Sequence, residues 1–409
     1  MLAGKLWFIA YRDLLRNRRR SVLSLLAVAL GLALLIVFNG LVAGIWNDAL
    51  ENNIRLKTGH LQVRAPSYDD KKLSLKWDDL LDNADALAAR LEQMDDVQSA
   101  TPVLWIGAIL TAGDESLSLQ LYGIDPASSF YAPIRESMVG GRFITPDDRN
   151  GIIMGRRLAD SLGVQTGDRV NLALVNADGK ADEAIFTVRG LFATGIVSYD
   201  ESTVFMPLDK ARAFTRAGNR ASAVVALLHR QEDTDRIAAT LQGQNIAIRT
   251  WEEANQLIIQ TVDTAMGFYV ILDAIVMLIV AVIIANTLLM AVFERIREIG
   301  ILAALGLKKR QIMQMFLVEA AILGLAGVAV GVVIGLAGVA YLSQVGIPLG
   351  AAASAAGSGF PLRSVMYARF APGLFAALSF WTLVFVLLAS LYPARFAARQ
   401  EPVDALRAL

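Results

Sequence analysis

The stretch FERIREIGILAALGLKKRQIMQMFLVEA, residues 293–320, places a short block of charge between two long apolar runs. The charged residues of this block are Glu294, Arg295, Arg297, Glu298, Lys308, Lys309 and Arg310. The whole chain has 409 residues, 55% of them hydrophobic, and a formal net charge of zero. In so apolar a chain, a short charged block is expected where the polypeptide leaves a membrane and enters it again.

The apolar runs beside this block are two of four segments that are long enough to cross a bilayer. The predicted spans are 21–43, 266–293, 312–342 and 372–394. A helix needs about 20 apolar residues to cross the hydrocarbon core. The four spans contain no acidic or basic residue other than Asp273 in the second span and Glu319 in the third. The sequence therefore predicts an α-helical membrane protein with four transmembrane helices.

The distribution of Lys and Arg predicts the orientation of these spans. Basic residues are concentrated in segments 1–20, 294–311 and 395–409, and such segments stay in the cytoplasm. Both termini are then cytoplasmic, and segments 44–265 and 343–371 lie outside the membrane. Residues 1–20 are expected to form an amphipathic helix on the inner membrane face. Because the basic residues sit beside spans, they give no indication of nucleic-acid binding.

The large external segment, 44–265, is predicted to be a mixed α/β domain. Alternating apolar residues at 59–65 indicate a strand, and the apolar stripe at 77–94 indicates a helix. We expect the pieces before about 127 and after about 219 to pack together, with 128–218 inserted between them. Acidic pairs in this domain, such as Asp147 and Asp148, are interpreted as solvated surface.

Motifs for chemistry are absent from the sequence, so we predict no catalytic residue, no metal and no cofactor in this chain. It has no phosphate-binding G-x-x-x-x-G-K-[ST] loop, no cysteine and two histidines without metal-ligand spacing. An acidic group inside a membrane span is costly and suggests function. For Asp273 and Glu319 we favour a structural or hydrogen-bonding role, with ion transport as the alternative.

The linker 294–311 is predicted to contain a short amphipathic helix. Ile296, Ile299, Leu302 and Leu305 share one face, which would contact the membrane or neighbouring helices. Arg295 and Glu298 would face the cytosol, and Gly306 would end the helix. The alternative is an ordinary basic loop, which explains the lysines but not the helical pattern.

Three segments together resemble one known family. They are ERIREIGILAALG (294–306), the glycine-rich GLAGVAVGVVIG (324–335) and the ending LYPARFAARQEPVDALRAL (391–409). With the order of spans and external domain, they are similar to the FtsX, MacB and lipoprotein-releasing (LolC/LolE-like) permeases of ATP-binding-cassette (ABC) systems.

The resemblance implies a subunit that works as a dimer, with a second copy or a paralogue, and that binds ABC ATPase subunits. MacB-like members carry the ATPase before the first span of the same chain, whereas this chain begins 20 residues before its first span. We therefore expect the ATPase in a partner chain, with ATP and magnesium bound there. The linker 294–311 would be the coupling helix, and the external domain a porter-like fold with an inserted subdomain. The residues assigned to ATPase coupling are Glu294, Arg295, Arg297, Glu298, Gly306 and Lys308.

The resemblance implies extraction of lipoproteins or a similar amphiphile from the inner membrane. Acyl chains would need an apolar entrance near the outer membrane surface. The residues expected to supply it are Phe38, Leu41, Val42, Ile45, Phe268, Tyr269 and Leu272. Membrane lipid is then a partner, together with a periplasmic lipoprotein carrier or another periplasmic protein.

Three other functions remain open. They are MacB-like peptide or drug efflux, FtsX-like regulation of a periplasmic hydrolase, and, as a distant alternative, secondary transport through Asp273 and Glu319.

Overall fold

A computed structural model describes residues 18–69, 72–241, 246–349 and 362–400. The predicted amphipathic helix at 1–20 lies almost entirely outside the described residues, as do parts of the loop 343–371 and of the tail 395–409. The chain divides into two compact units. A helical unit comprises Met1–Ile45, Asp263–Ile347 and Met366–Leu409, and an α/β unit comprises Trp46–Val262 and Pro348–Val365.

The helices and strands follow each other along both units. The helices are α1 (Arg18–Asn53), α2 (Ala84–Glu92), α3 (Ala132–Glu136), α4 (Arg156–Ser161), α5 (Val197–Ser202), α6 (Leu208–Thr215), α7 (Thr234–Leu241), α8 (Trp251–Ala254), α9 (Gln256–Glu294), α10 (Ile296–Ala304), α11 (Lys309–Val345) and α12 (Pro372–Ala398). The strands are β1 (Leu61–Arg64), β2 (Val97–Ala112), β3 (Glu115–Ile124), β4 (Met138–Gly141), β5 (Gly151–Gly155), β6 (Arg169–Val175), β7 (Ala181–Phe192), β8 (Thr203–Pro207), β9 (Ala223–Leu228), β10 (Ala247–Thr250), β11 (Ile347–Pro348) and β12 (Val365–Met366).

Four of these helices, α1, α9, α11 and α12, are long and apolar enough to cross a membrane. Each contains one of the four predicted spans. Helix α1 begins at Arg18 and ends at Asn53, beyond the predicted span 21–43 on both sides. Helices α9 and α11 likewise extend past the spans 266–293 and 312–342.

Helix α11 packs closely on α1 through glycines. A Cβ placed on Gly331 would lie 2.8 Å from the backbone oxygen of Ala29, and one on Gly327 would lie 2.7 Å from Cβ of Val28. Small residues at such positions let two membrane helices approach until their backbones touch, which increases the van der Waals contact between them in lipid. The glycine-rich run noted in the sequence therefore forms an interhelical contact face.

The core of the helical unit joins all four long helices. One cluster contains the buried residues Leu32, Leu35, Ile36, Met277, Val339, Ala368, Phe375 and Leu378. A second contains Val28, Val280, Ile284, Leu288, Ala320 and Val386.

The α/β unit is built on one ten-stranded sheet, with the order β10-β1-β9-β2-β3-β8-β5-β7-β4 and with β6 paired to both β2 and β7. Strand β9, which follows residue 219, lies between β1 and β2, which precede residue 127. The inserted segment joins the same sheet because β8 pairs in parallel with β3. Its side chains also share a hydrophobic core with β2 and β3.

Two buried carboxylates in the α/β unit stabilise local turns. Asp148 is 8% exposed, which makes the interpretation of this residue as solvated surface wrong. It accepts hydrogen bonds from Arg142 at 2.7 Å and from the backbone N–H of Thr145 at 2.9 Å. The Arg142 hydrogen bond lowers the pKa of Asp148 to about 2. Asp200, 2% exposed, accepts from the N–H groups of Thr194 and Gly195, while its burial raises its pKa.

Candidate functional site: the coupling segment and the α1–α9 seam

Residues 294–311, called the coupling segment below after the role predicted for them, form a short helix set between two long ones. Helix α9 ends at Glu294, and α10 begins at Ile296 after a break at Arg295, whose φ of −114° and ψ of 15° are not helical. At the other end, Gly306 has a φ of +94°. Its N–H donates to the carbonyl of Ala303, and the N–H of Leu307 donates to the carbonyl of Leu302. This pattern is a Schellman motif, so the predicted helix stop at Gly306 is confirmed.

One face of α10 is held against the ends of α11 and α12. Ile299 is 2% exposed, and Ile296 and Leu302 are half-buried. Ile299 belongs to a cluster with Val292, Ile312, Met315, Phe316, Ala394 and Ala397. Leu305, in contrast, is 75% exposed, so it does not pack on the neighbouring helices with the other three. The helix ends at Ala304, so Leu305 no longer follows its periodicity.

Arg295 does not face the cytosol, contrary to the prediction from the sequence. Its side chain is 3% exposed and its Nη1 lies 3.7 Å from Oε2 of Glu319, whose side chain is 2% exposed. The helical pattern placed Arg295 on the outer face of α10, but the residue precedes the helix and its side chain enters the bundle. Glu319 on α11 therefore has a counter-ion from the coupling segment, which a buried carboxylate requires.

The other charged residues of the segment lie at its surface. Glu294 forms an ion pair of 2.6 Å with Arg20 at the start of α1. Arg297, Glu298 and Lys308 are exposed. The backbone N–H of Lys308 donates to Oε1 of Gln311 at 2.8 Å, which caps the start of α11.

Helices α1 and α9 contact each other at a place called the α1–α9 seam below. Two of the predicted substrate-binding residues and one polar pair meet there. The rings of Phe38 and Tyr269 lie 5.6 Å apart, edge to face. Next to Phe38, Asn39 donates from Nδ2 to both carboxylate oxygens of Asp273, at 3.0 and 3.2 Å. Asn39 is 3% exposed and Asp273 8%. Asp273 thus has the hydrogen-bonding role that the sequence favoured. Sequence reasoning missed Asn39, although a lone amide in an apolar run was a usable signal.

The remaining predicted substrate-binding residues do not form one wall. Val42 is 5% exposed, and Leu41 packs against the bundle core. Phe268 and Leu272, in contrast, are 65% and 48% exposed on α9. The apolar pattern did not predict which of these residues face the bundle interior and which are exposed on α9. The bundle interior and lipid are equally apolar surroundings, so the same residue types occur in both.

The four long helices, the short helix α10 between two of them and the α/β sheet have the architecture of an ABC transporter permease of the MacB, LolC and FtsX type. The MacB-like periplasmic core domain family matches residues 21–244, more than half of the chain, and the FtsX-like permease C-terminal family matches residues 270–402. The chain belongs to this permease family.

Two relatives and one solved structure illustrate the similarity. The lipoprotein-releasing system transmembrane protein LolC of Neisseria meningitidis serogroup B is 26% identical over 95% of this chain and 94% of its own length. The macrolide export ATP-binding/permease protein MacB of Wolinella succinogenes is also 26% identical, over 97% of this chain and 60% of its own length. The chain thus spans about 60% of that MacB. The periplasmic region of MacB from Actinobacillus actinomycetemcomitans superposes with a TM-score of 0.35 at 16% identity, covering 51% of this chain and 97% of that structure.

Proposed function

We propose that this chain is the permease subunit of an ABC system that extracts lipoproteins or a similar amphiphile from the bacterial inner membrane. The observation that carries the proposal is the end-to-end similarity to a protein named for lipoprotein release, over 95% of this chain and 94% of that one. Both termini of this chain would lie in the cytoplasm.

The ATPase would be a partner chain that binds ATP and magnesium and docks on the solvent-exposed face of the coupling segment, on the cytoplasmic side. That surface combines exposed charge at Arg297, Glu298 and Lys308 with two exposed apolar side chains. The apolar pair is Ile301, 46% exposed, and Leu305, 75% exposed. An apolar centre surrounded by charge is the usual composition of a protein–protein contact. The opposite face of α10 is already occupied by the cluster around Ile299.

The acylated substrate would enter the bundle beside α9. Phe268 and Leu272 supply an exposed apolar surface there, and the Phe38–Tyr269 and Asn39–Asp273 contacts close the seam behind it. Each buried methylene of an acyl chain contributes about 0.8 kcal/mol, so such a surface holds lipid without a charged ligand. The functional unit would contain a second copy of the chain or a paralogue.

Reconstitution in lipid with the co-purifying ABC ATPase and an acylated acceptor protein tests this function. ATP should release the acylated protein, and Leu272→Asp should block release while the ATPase stays bound. Tyr341→Asp is the matched control, because Tyr341 is 64% exposed near the end of another membrane helix, α11. Release that continues in Leu272→Asp, or that fails equally in the control, contradicts the proposed entrance.

MacB-like export is the second candidate, favoured by a match to MacB that covers 97% of this chain. It predicts ATP-dependent movement of a soluble peptide or drug, with no release of the acylated protein. ATP-dependent activation of a periplasmic hydrolase without movement of any substrate would favour an FtsX-like regulator.

A further inference from the structure

The break between α9 and α10 carries a feature that ATPase docking does not require. A chain that only had to present α10 to the cytosol would place Arg295 in water, where a guanidinium is strongly solvated. The structure instead buries this side chain to 3% exposure, opposite a carboxylate on α11 that is 2% exposed. Burial of two charges is costly, and apolar residues would usually hold the same contact at least as well.

We infer that the Arg295–Glu319 ion pair transmits movement of the coupling segment to α11. The two residues are positioning residues, since neither lies on the exposed surface that would meet the ATPase. This inference rests on the proposed coupling function. The ion pair would fix the direction and register of α10 relative to α11, which apolar contacts alone specify poorly.

The contacts around the pair support a rigid connection. Arg295 accepts the first hydrogen bond of α10, because the N–H of Ile299 donates to its carbonyl at 2.9 Å. Ile299 is buried against Ile312, Met315 and Phe316 on the first turns of α11. The segment is therefore held to α11 at its start by charge and one turn later by apolar packing.

Helix α11 can pass such a movement on within the helical unit. Ala320, the residue after Glu319, belongs to the cluster with Val28 on α1 and Val280 on α9. Further along, Gly327 and Gly331 bring α11 against the backbone of α1. A shift of α11 would consequently act on α1, which forms one side of the α1–α9 seam.

The experiment separates transmission from docking. Wild-type chain and variants in nanodiscs are titrated with the ABC ATPase that co-purifies with the wild type, and both the Kd and the ATPase rate at saturation are measured. Arg295→Gln and Glu319→Gln should each lower the stimulation of ATP hydrolysis at saturation about tenfold, a usual size for a coupling between sites, while leaving the Kd nearly unchanged. Arg295→Lys should retain part of the stimulation. The charge-reversed double variant Arg295→Glu/Glu319→Arg should stimulate ATP hydrolysis more than either reversed single variant.

The outcomes distinguish this inference from the function on which it rests. If no ABC ATPase co-purifies with the wild type, or if the wild type does not stimulate the one that does, the proposed function fails and the inference falls with it. If the wild type stimulates but the Gln variants do so equally at saturation, the inference alone is overturned. A Kd that rises while saturated stimulation stays normal would assign the pair to docking. The inference is also overturned if the double variant folds but stimulates ATP hydrolysis no more than the reversed single variants do.

Discussion

Buried carboxylates are stabilised differently in the two units of this protein. In the α/β unit, the hydrogen bonds that Asp148 and Asp200 accept come from groups no more than six residues away, and Asp148 also has an ion pair of 3.5 Å with Arg189. In the helical unit, Glu319 on α11 pairs with Arg295, 24 residues earlier in the chain, and Asp273 pairs with Asn39, 234 residues distant. The first kind of pair shapes a turn, whereas the second fixes the arrangement of helices. Changes in the second kind should therefore affect transport as well as folding.

The largest effect is expected where helices of the helical unit meet without any side chain between them. Gly331→Leu should destabilise the protein by about 3 kcal/mol, because the new side chain would meet the backbone of Ala29, which cannot rotate away. Thermal unfolding in detergent measures the change. Gly267→Leu on α9 is the matched control, since a Cβ there has no neighbour within 4 Å among the described residues. Equal unfolding midpoints would show that the close contact of α1 and α11 is not important for stability.

The hydrogen bond between Asn39 on α1 and Asp273 on α9 should make the stabilities of two distant positions depend on each other. Asn39→Leu should cost about 1–2 kcal/mol, because the Asp273 carboxylate loses its amide donor in an apolar setting. Replacing both residues, as in Asn39→Leu/Asp273→Leu, should recover most of this loss, since no buried polar group is then left behind. Additive losses in the double variant would mean that the two side chains do not stabilise each other.

The local pair in the α/β unit should respond to acid. The folded pKa of Asp148, about 2, lies below its ordinary value of 3.8. Its contribution is therefore present above about pH 4 and is lost as the pH falls towards 2. Asp148→Asn should cost about 1 kcal/mol at neutral pH, allowing for the half-exposed Arg142, and should lose less stability than the wild type between pH 4 and 2.

Acid unfolding of the full chain in detergent measures this difference. Asp147→Asn is the control, because the neighbouring Asp147 is exposed. Parallel acid profiles for the wild type and Asp148→Asn would contradict the assignment.

The smallest effect on stability is expected at the exposed end of α10. Leu305→Ser should change stability by less than about 0.5 kcal/mol, because the side chain is 75% exposed. It should nevertheless weaken ATPase binding about tenfold if Leu305 is an interface anchor. Leu307→Ser provides the contrast, since Leu307 packs against the Ile299 cluster and should affect folding. Normal ATPase affinity in Leu305→Ser would remove this residue from the proposed interface.

The sequence was sufficient for the number of membrane helices, the mixed α/β domain and the helix stop at Gly306. Long apolar runs and a glycine at a helix end are local signals. The sequence was not sufficient to predict whether the side chains point into the helix bundle or to its surface at four positions, Arg295, Leu305, Leu41 and Val42. Those directions depend on where α10 begins and ends and on which side of a helix meets the bundle, and both lipid and protein interior accept apolar side chains. The partner of Asp273 was likewise a long-range contact that periodicity does not reveal.

Cysteine crosslinking tests the central claim, that a partner ATPase binds the exposed surface of the coupling segment. The chain has no cysteine, so each introduced one is the only thiol in this protein. With the ABC ATPase that co-purifies from the membrane, Glu298→Cys and Leu305→Cys should crosslink. Ile299→Cys, buried in the bundle, and Leu272→Cys, 22 residues before the end of α9, should not. A co-purifying ATPase that crosslinks to Leu272→Cys but to neither Glu298→Cys nor Leu305→Cys would contradict the account.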